Sequence, residues 1–129
     1  MAFALYDYVN QHGDNEFKTW MEGLQKVQLA KLNERFDKLM QYGDALHPHM
    51  LTDTHVPGIQ KLRIRGNVQL RPLLCKGPVK VNSEYTLLMG AKEIGNKWSP
   101  KNAPALAQAK KTVVITDPNN RRTPHERVV

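Results

Sequence analysis

A single cysteine, Cys75, stands in 129 residues. It excludes an internal disulfide and suits a reducing cytoplasm. Long hydrophobic runs are also missing, and nothing approaches the roughly 18 consecutive apolar residues that would span a bilayer as a helix. The opening Met1-Ala-Phe-Ala-Leu-Tyr6 carries no positive charge and runs into Asp7, so it does not read as a secretory signal. No P-loop, dinucleotide-binding glycine motif or Ser-His-Asp signature occurs, which removes the commonest nucleotide-dependent and acyl-transfer chemistries. The scarcity that says most is of acid in the second half. Residues 61–129 hold 4 Asp/Glu against 14 Lys/Arg, whereas residues 1–60 hold 8 against 5.

The chain therefore carries its net charge of +7 at one end. Surface charge that serves only solubility is usually of mixed sign. Clustered cations instead set up a field that attracts phosphate backbones and releases counterions on binding. A solvated basic face is the bland alternative, and what favours nucleic acid is where the cations fall. Lys61-Leu-Arg-Ile-Arg-Gly-Asn-Val-Gln-Leu-Arg71 reads as a hairpin with cations on alternate residues. On a strand, Lys61, Arg63 and Arg65 share one face while Leu62 and Ile64 take the other. Gly66-Asn67 supplies a two-residue turn, and the returning strand brings Arg71 up beside the basic row.

Around this hairpin the pattern is that of one α+β domain. Phe3 to Val9 alternates as a first strand, and Asp14 can cap a helix with Phe17, Trp20, Met21 and Leu24 on one stripe. A second helix runs from about Lys26 to Tyr42 with Leu29, Leu32, Phe36, Leu39 and Met40 buried, and Gly43 ends it. A connector over 43–58 holds His47, His49 and His55. Basic strands follow at roughly 59–65 and 68–75, then a Gly/Pro loop and a strand from Tyr85 to Ala91. Lys92 to Lys101 is a polar loop. Asn102 caps a third helix with Ala105, Leu106, Ala109 and Val113 on its inner side. The order β-α-α-β-β-β-α gives a small antiparallel sheet, an N-terminal helical hairpin on one face, a C-terminal helix, and a basic opposite face or rim. Residues 1–116 form the domain, and 117–129 a basic, mobile C-terminal tail.

With these residues in view, the chain resembles the RelE/ParE toxin superfamily, and within it the phage-derived HigB-like toxins. Leu62-Arg63-Ile-Arg-Gly66 followed by Arg71 is similar to the Leu-Arg…Gly…Arg pattern across that family's central hairpin. Leu88-Met-Gly-Ala-Lys92, then Lys97 and Pro100, is similar to its strand-to-loop stretch. The resemblance covers roughly residues 1–115. It implies a RelE-like fold and a metal-independent, ribosome-dependent endoribonuclease that cleaves mRNA. It also implies a type II toxin–antitoxin pair in which a helix-turn-helix antitoxin neutralises the toxin, with no membrane and no small-molecule cofactor. Two positions depart from the pattern: Glu93 stands where the family has a second Lys, and Leu74 where an aromatic is usual.

Cleavage of this type proceeds by attack of the 2′-oxygen on the adjacent phosphate. Arg63 and Arg71 match family positions, and their planar forks suit the non-bridging oxygens. Lys92 is the third catalytic candidate, as a proton carrier if neighbouring cations lower its affinity for a proton. Lys61, Arg65 and Lys97 position the backbone, and Trp98 offers a ring for a base. Tyr85 can stack likewise or sit in the core. Among the connector histidines, His55 is the nearest to the basic strand and the best candidate acid or base. The histidine spacing matches no recognised zinc site, and no metal is expected. A second reading keeps the fold without the chemistry, as a phage protein that inhibits a host protein such as gyrase or binds nucleic acid.

Overall fold

The computed structural model describes residues 2–66 and 68–129. Among them, nine strands and three α-helices follow one another as β1 (Ala4–Tyr8), α1 (Glu16–Glu22), α2 (Lys26–Tyr42), β2 (Leu51–Asp53), β3 (Gln60–Leu62), β4 (Gln69–Leu70), β5 (Leu73–Lys76), β6 (Glu84–Met89), β7 (Lys92–Ile94), β8 (Lys97–Ser99), α3 (Ala103–Thr116) and β9 (Arg122–Pro124). The fold is mixed α+β. Six strands form the main sheet in the order β2-β3-β5-β6-β1-β9, antiparallel except for β1 beside β6. A second sheet of three short strands runs β4-β7-β8. Among the described residues, no helix is long and apolar enough to cross a membrane.

The α2 helix takes the expected span, opened by a reciprocal capping box between Gln25 and Gln28. It ends at Gly43, whose φ of 53° no β-carbon would accept easily, because the Phe3 ring lies 2.3 Å from where that carbon would stand. Asn15 caps α1 by accepting from the Lys18 amide; Asp14, one residue earlier, does not. Both helices turn apolar stripes to one face of the sheet. Phe17, Met21, Leu29, Leu32, Phe36 and Leu39 meet Leu5, Leu62, Leu74, Tyr85 and Leu87 there. Burying each such side chain is worth about 1.5–3 kcal/mol, so this layer dominates the stability.

Helices are not confined to one side. The α3 helix covers the other face, where Ala103, Ala107 and Val114 pack on Tyr8, Ile59, Leu73, Cys75 and Leu88. Strand alternation supplies both cores: Leu74 points to the helical hairpin, while Leu73 and Cys75 point to α3. The inner side of α3 is also not the one expected. Leu106 and Val113 face outward, at 45% and 39% exposure, because α3 is apolar on several sides and periodicity could not choose between them.

Two further expectations are corrected. The stretch from Lys92 to Lys101 is a β-hairpin rather than a loop, with Lys92 opposite Ser99 and Glu93 opposite Trp98. Residues 117–129 are not a loose tail. Strand β9 pairs with β1, and the His125 amide donates to Leu5 O. The His125 ring packs against Phe17 and Phe36, with Nδ1 2.8 Å from Asp7 Oδ1. Asn33 Nδ2 donates to Val128 O, Arg122 pairs with Glu84, and Arg127 pairs with Asp37. Charged residues in this segment find partners far away in the chain, and those contacts hold it down.

Candidate nucleic-acid interface

The basic row folds as its alternation requires. Leu62 and Ile64 are 0% and 2% exposed, while Arg63 and Arg65 stand open to solvent. Its hairpin is wider than a two-residue turn. Lys61 lies opposite Leu73 and Ile64 opposite Leu70, a pairing shifted by one residue on the returning arm from the one a two-residue turn at Gly66-Asn67 would set. The turn conformation itself involves Asn67, outside the described residues. In this register Arg63 and Arg71 fall on the same level of the two arms.

Between this hairpin, α2 and the start of β2 lies a cleft of about 560 Å³ lined by Arg35, His49, Met50, Arg63, Arg65, Gly66, Gln69 and Arg71. Four guanidiniums and an imidazole line it, and among the described residues no carboxylate does. Among the described residues, Arg35, Arg63 and Arg65 have no acidic partner within 4 Å. Uncompensated guanidiniums facing one cavity create a positive potential whose natural complement is phosphate. Arg35 lies on α2 off the buried face formed by Leu29, Leu32, Phe36 and Leu39. Its spacing from the Leu32/Phe36/Leu39 stripe was the available signal, but nothing local tied it to a hairpin some 30 residues on.

Arg71 differs from the other three. It is 5% exposed, and its guanidinium donates to Glu93 Oε1 (2.9 Å), Ile64 O (3.2 Å), Leu70 O (2.8 Å) and Gln69 Oε1 (2.9 Å). Four of the five N–H groups that arginine possesses are thus engaged within the protein. Arg71 braces the floor of the cleft rather than standing free to clamp a phosphate with Arg63. Glu93, the departure from the family pattern, is its counterion, and Lys61 Nζ joins at 2.7 Å. Burial would raise the Glu93 carboxyl. The hydrogen bonds and charges of Lys61 and then Arg71 outweigh that and hold it below its ordinary range. Lys61 therefore shares the Glu93 carboxylate with Arg71, and it also lies 5.3 Å from the centre of the Trp98 ring. Trp98 is half-buried against the α3-side core.

Lys92 and Lys97 sit on β7 and β8 and do not line the cleft. His55 is exposed in the turn before β3, also away from it. His49 is the histidine that the fold brings to the arginines. His47 lies 3.1 Å from Asp53, so the three connector histidines point to different neighbours. Tyr85 is core, with its hydroxyl donating to Asp44. Burial pushes the Cys75 thiol up to about 11, which leaves no thiolate nucleophile at neutral pH.

Such a site can bind a polyanion through Arg35, Arg63 and Arg65, shape it against the Arg71 floor, and offer His49 for proton transfer. Comparison with protein-family models, with curated proteins and with solved structures finds no match to this chain.

Proposed function

We propose that the chain is a RelE/ParE-like toxin whose arginine cleft binds the backbone of single-stranded mRNA on the ribosome and cleaves it. The observation that carries this reading is the convergence of Arg35, Arg63, Arg65 and Arg71 with His49 in one cleft whose wall, among the described residues, bears no acid. The helical hairpin after β1 and the mostly antiparallel sheet are compatible with it.

The roles shift from those the sequence suggested. Arg63 and Arg65 hold the non-bridging oxygens of the scissile phosphate, with Arg35 on the neighbouring phosphate. Arg71 positions the hairpin arms. His49 Nδ1 or Nε2 takes the 2′-hydroxyl proton or returns one to the leaving 5′-oxygen, the task for which imidazole is suited near neutrality. The partners of this reading are mRNA, the ribosome and a helix-turn-helix antitoxin.

Inducing the protein in growing cells and mapping mRNA 5′ ends tests it. Growth arrest with new ends inside translated messages, both lost in Arg63→Ala/Arg65→Ala, is the expected result. One observation favours the second reading, a binder that does not cut: Arg71 keeps a single N–H for a ligand. Arrest that survives the double substitution with intact mRNA would establish a protein target instead.

A further inference from the structure

A second groove opens on the other side of the hairpin tip. It measures about 240 Å³ and is bounded by Gln25, Val27, Gln28 and Lys31 of the α2 start and by Arg65 and Val68 of the hairpin. Ile64 and Leu70 form its apolar base. It is less than half the volume of the arginine cleft, and Arg65 and Gly66 line both. Lys31 Nζ donates to Arg65 O at 3.3 Å and ties α2 to the tip between the two cavities.

The chemistry changes across that boundary. The large cleft is cationic and takes phosphates. The small groove is apolar at its base and edged by carboxamides, and it contains only one cation besides the shared arginine. Val27 and Val68 remain 67% and 37% exposed among the described residues and offer apolar surface there. A flat ring with hydrogen-bonding edges fits such a surround: apolar contact below, the Arg65 guanidinium against its face, amide groups at its rim. Resting on the reading of the large cleft as an RNA-backbone site, we propose that this groove is a nucleobase site. It receives the base of the nucleotide next to the phosphate held by Arg63 and Arg65, and so restricts the substrate to unpaired RNA. A paired base is held in its stack and cannot enter.

The test uses the full chain, a labelled single-stranded RNA oligonucleotide, and a strand of equal length with abasic ribose at the central positions. Wild type should bind the intact strand about tenfold tighter, the size expected for one sheltered base. The Val27→Ser/Val68→Ser variant changes only exposed positions, and it should bring the two affinities to within about twofold of each other. Arg63→Ala should weaken both strands alike and keep their ratio. Equal affinity of wild type for the two strands would overturn the base site while leaving the backbone cleft in place. An unchanged ratio in the Val27/Val68 variant would place any base preference elsewhere. If wild type binds neither strand, the backbone reading fails and the base site with it.

Discussion

Glu93 Oε1 lies 2.9 Å from Arg71 Nε and fixes the one arginine of the cleft that is buried. Their strands belong to the small second sheet and its margin, and the pair ties the basic hairpin to the β7–β8 hairpin. Removing one member of a buried pair leaves the other charge uncompensated, which costs about 3–5 kcal/mol when burial is complete. Glu93 keeps 16% of its side chain exposed, so Glu93→Ala should lose somewhat less, about 2–3 kcal/mol. A fall in the urea midpoint at unchanged m-value measures it. No loss would mean that Arg71 does not depend on Glu93.

The same carboxyl gives the fold an acid sensitivity. Its folded-state affinity for protons is below the ordinary value of 4.5, and Asp44, held by Lys76 and Tyr85 against the opposing effect of burial, is below 3.8. Groups depressed in this way contribute stability above their unfolded values, and it is lost as pH falls through and below them. Stability should therefore decline from about pH 5 downward. The deficit of Glu93→Gln relative to wild type should be widest near neutrality and narrow over that range. Urea titrations at several pH values give the comparison.

Trp20 of α1 lies directly over Gly90. A β-carbon there would stand 1.9 Å from Trp20 Cδ2, with the indole ring covering it. Gly90→Ala should cost about 1–3 kcal/mol through forced displacement of Trp20. Gly23→Ala, whose added carbon meets nothing closer than 3.6 Å, should not. Thermal melts followed by tryptophan fluorescence separate the two.

The C-terminal strand should prove part of the domain. Asp7 is 1% exposed and accepts from Asn15 Nδ2 at 2.9 Å while it faces His125 Nδ1 at 2.8 Å. His125→Ala leaves that carboxylate one partner short and opens space beside Phe17 and Phe36, a loss of about 2 kcal/mol or more. Deleting residues 121–129 should lower the melting temperature further and increase dye binding at the exposed Phe17/Phe36 surface. An undisturbed melt would return the segment to the status of a tail.

How far the sequence could be read follows from the distance between interacting residues. The alternation from Lys61 to Arg65 and the stripe from Leu29 to Leu39 are local: α2 forms over its full span, and burial alternates along the basic row, although β3 itself ends at Leu62 and only an isolated bridge at Ile64 continues it. The partner of Arg71 lies 22 residues away, so nothing near Arg71 marked it as buried. The β7–β8 hairpin did have a local signal, Gly95-Asn96 between Ile94 and Lys97, but its strands are short and polar. His49 and His55 are indistinguishable as connector histidines, and only the fold decides that His49 meets the arginines.

The most direct test of the cleft is the affinity of wild type and Arg63→Ala/Arg65→Ala for a single-stranded RNA, measured across a salt series. Each phosphate contact on a single strand contributes about 0.7 to the slope of log affinity against log salt. Arg63 and Arg65 share the scissile phosphate, so losing both should reduce that slope by about 0.7 and weaken binding at every salt concentration. Equal slopes and affinities for the two proteins would contradict the account, because the open arginines of the cleft would then not hold the backbone.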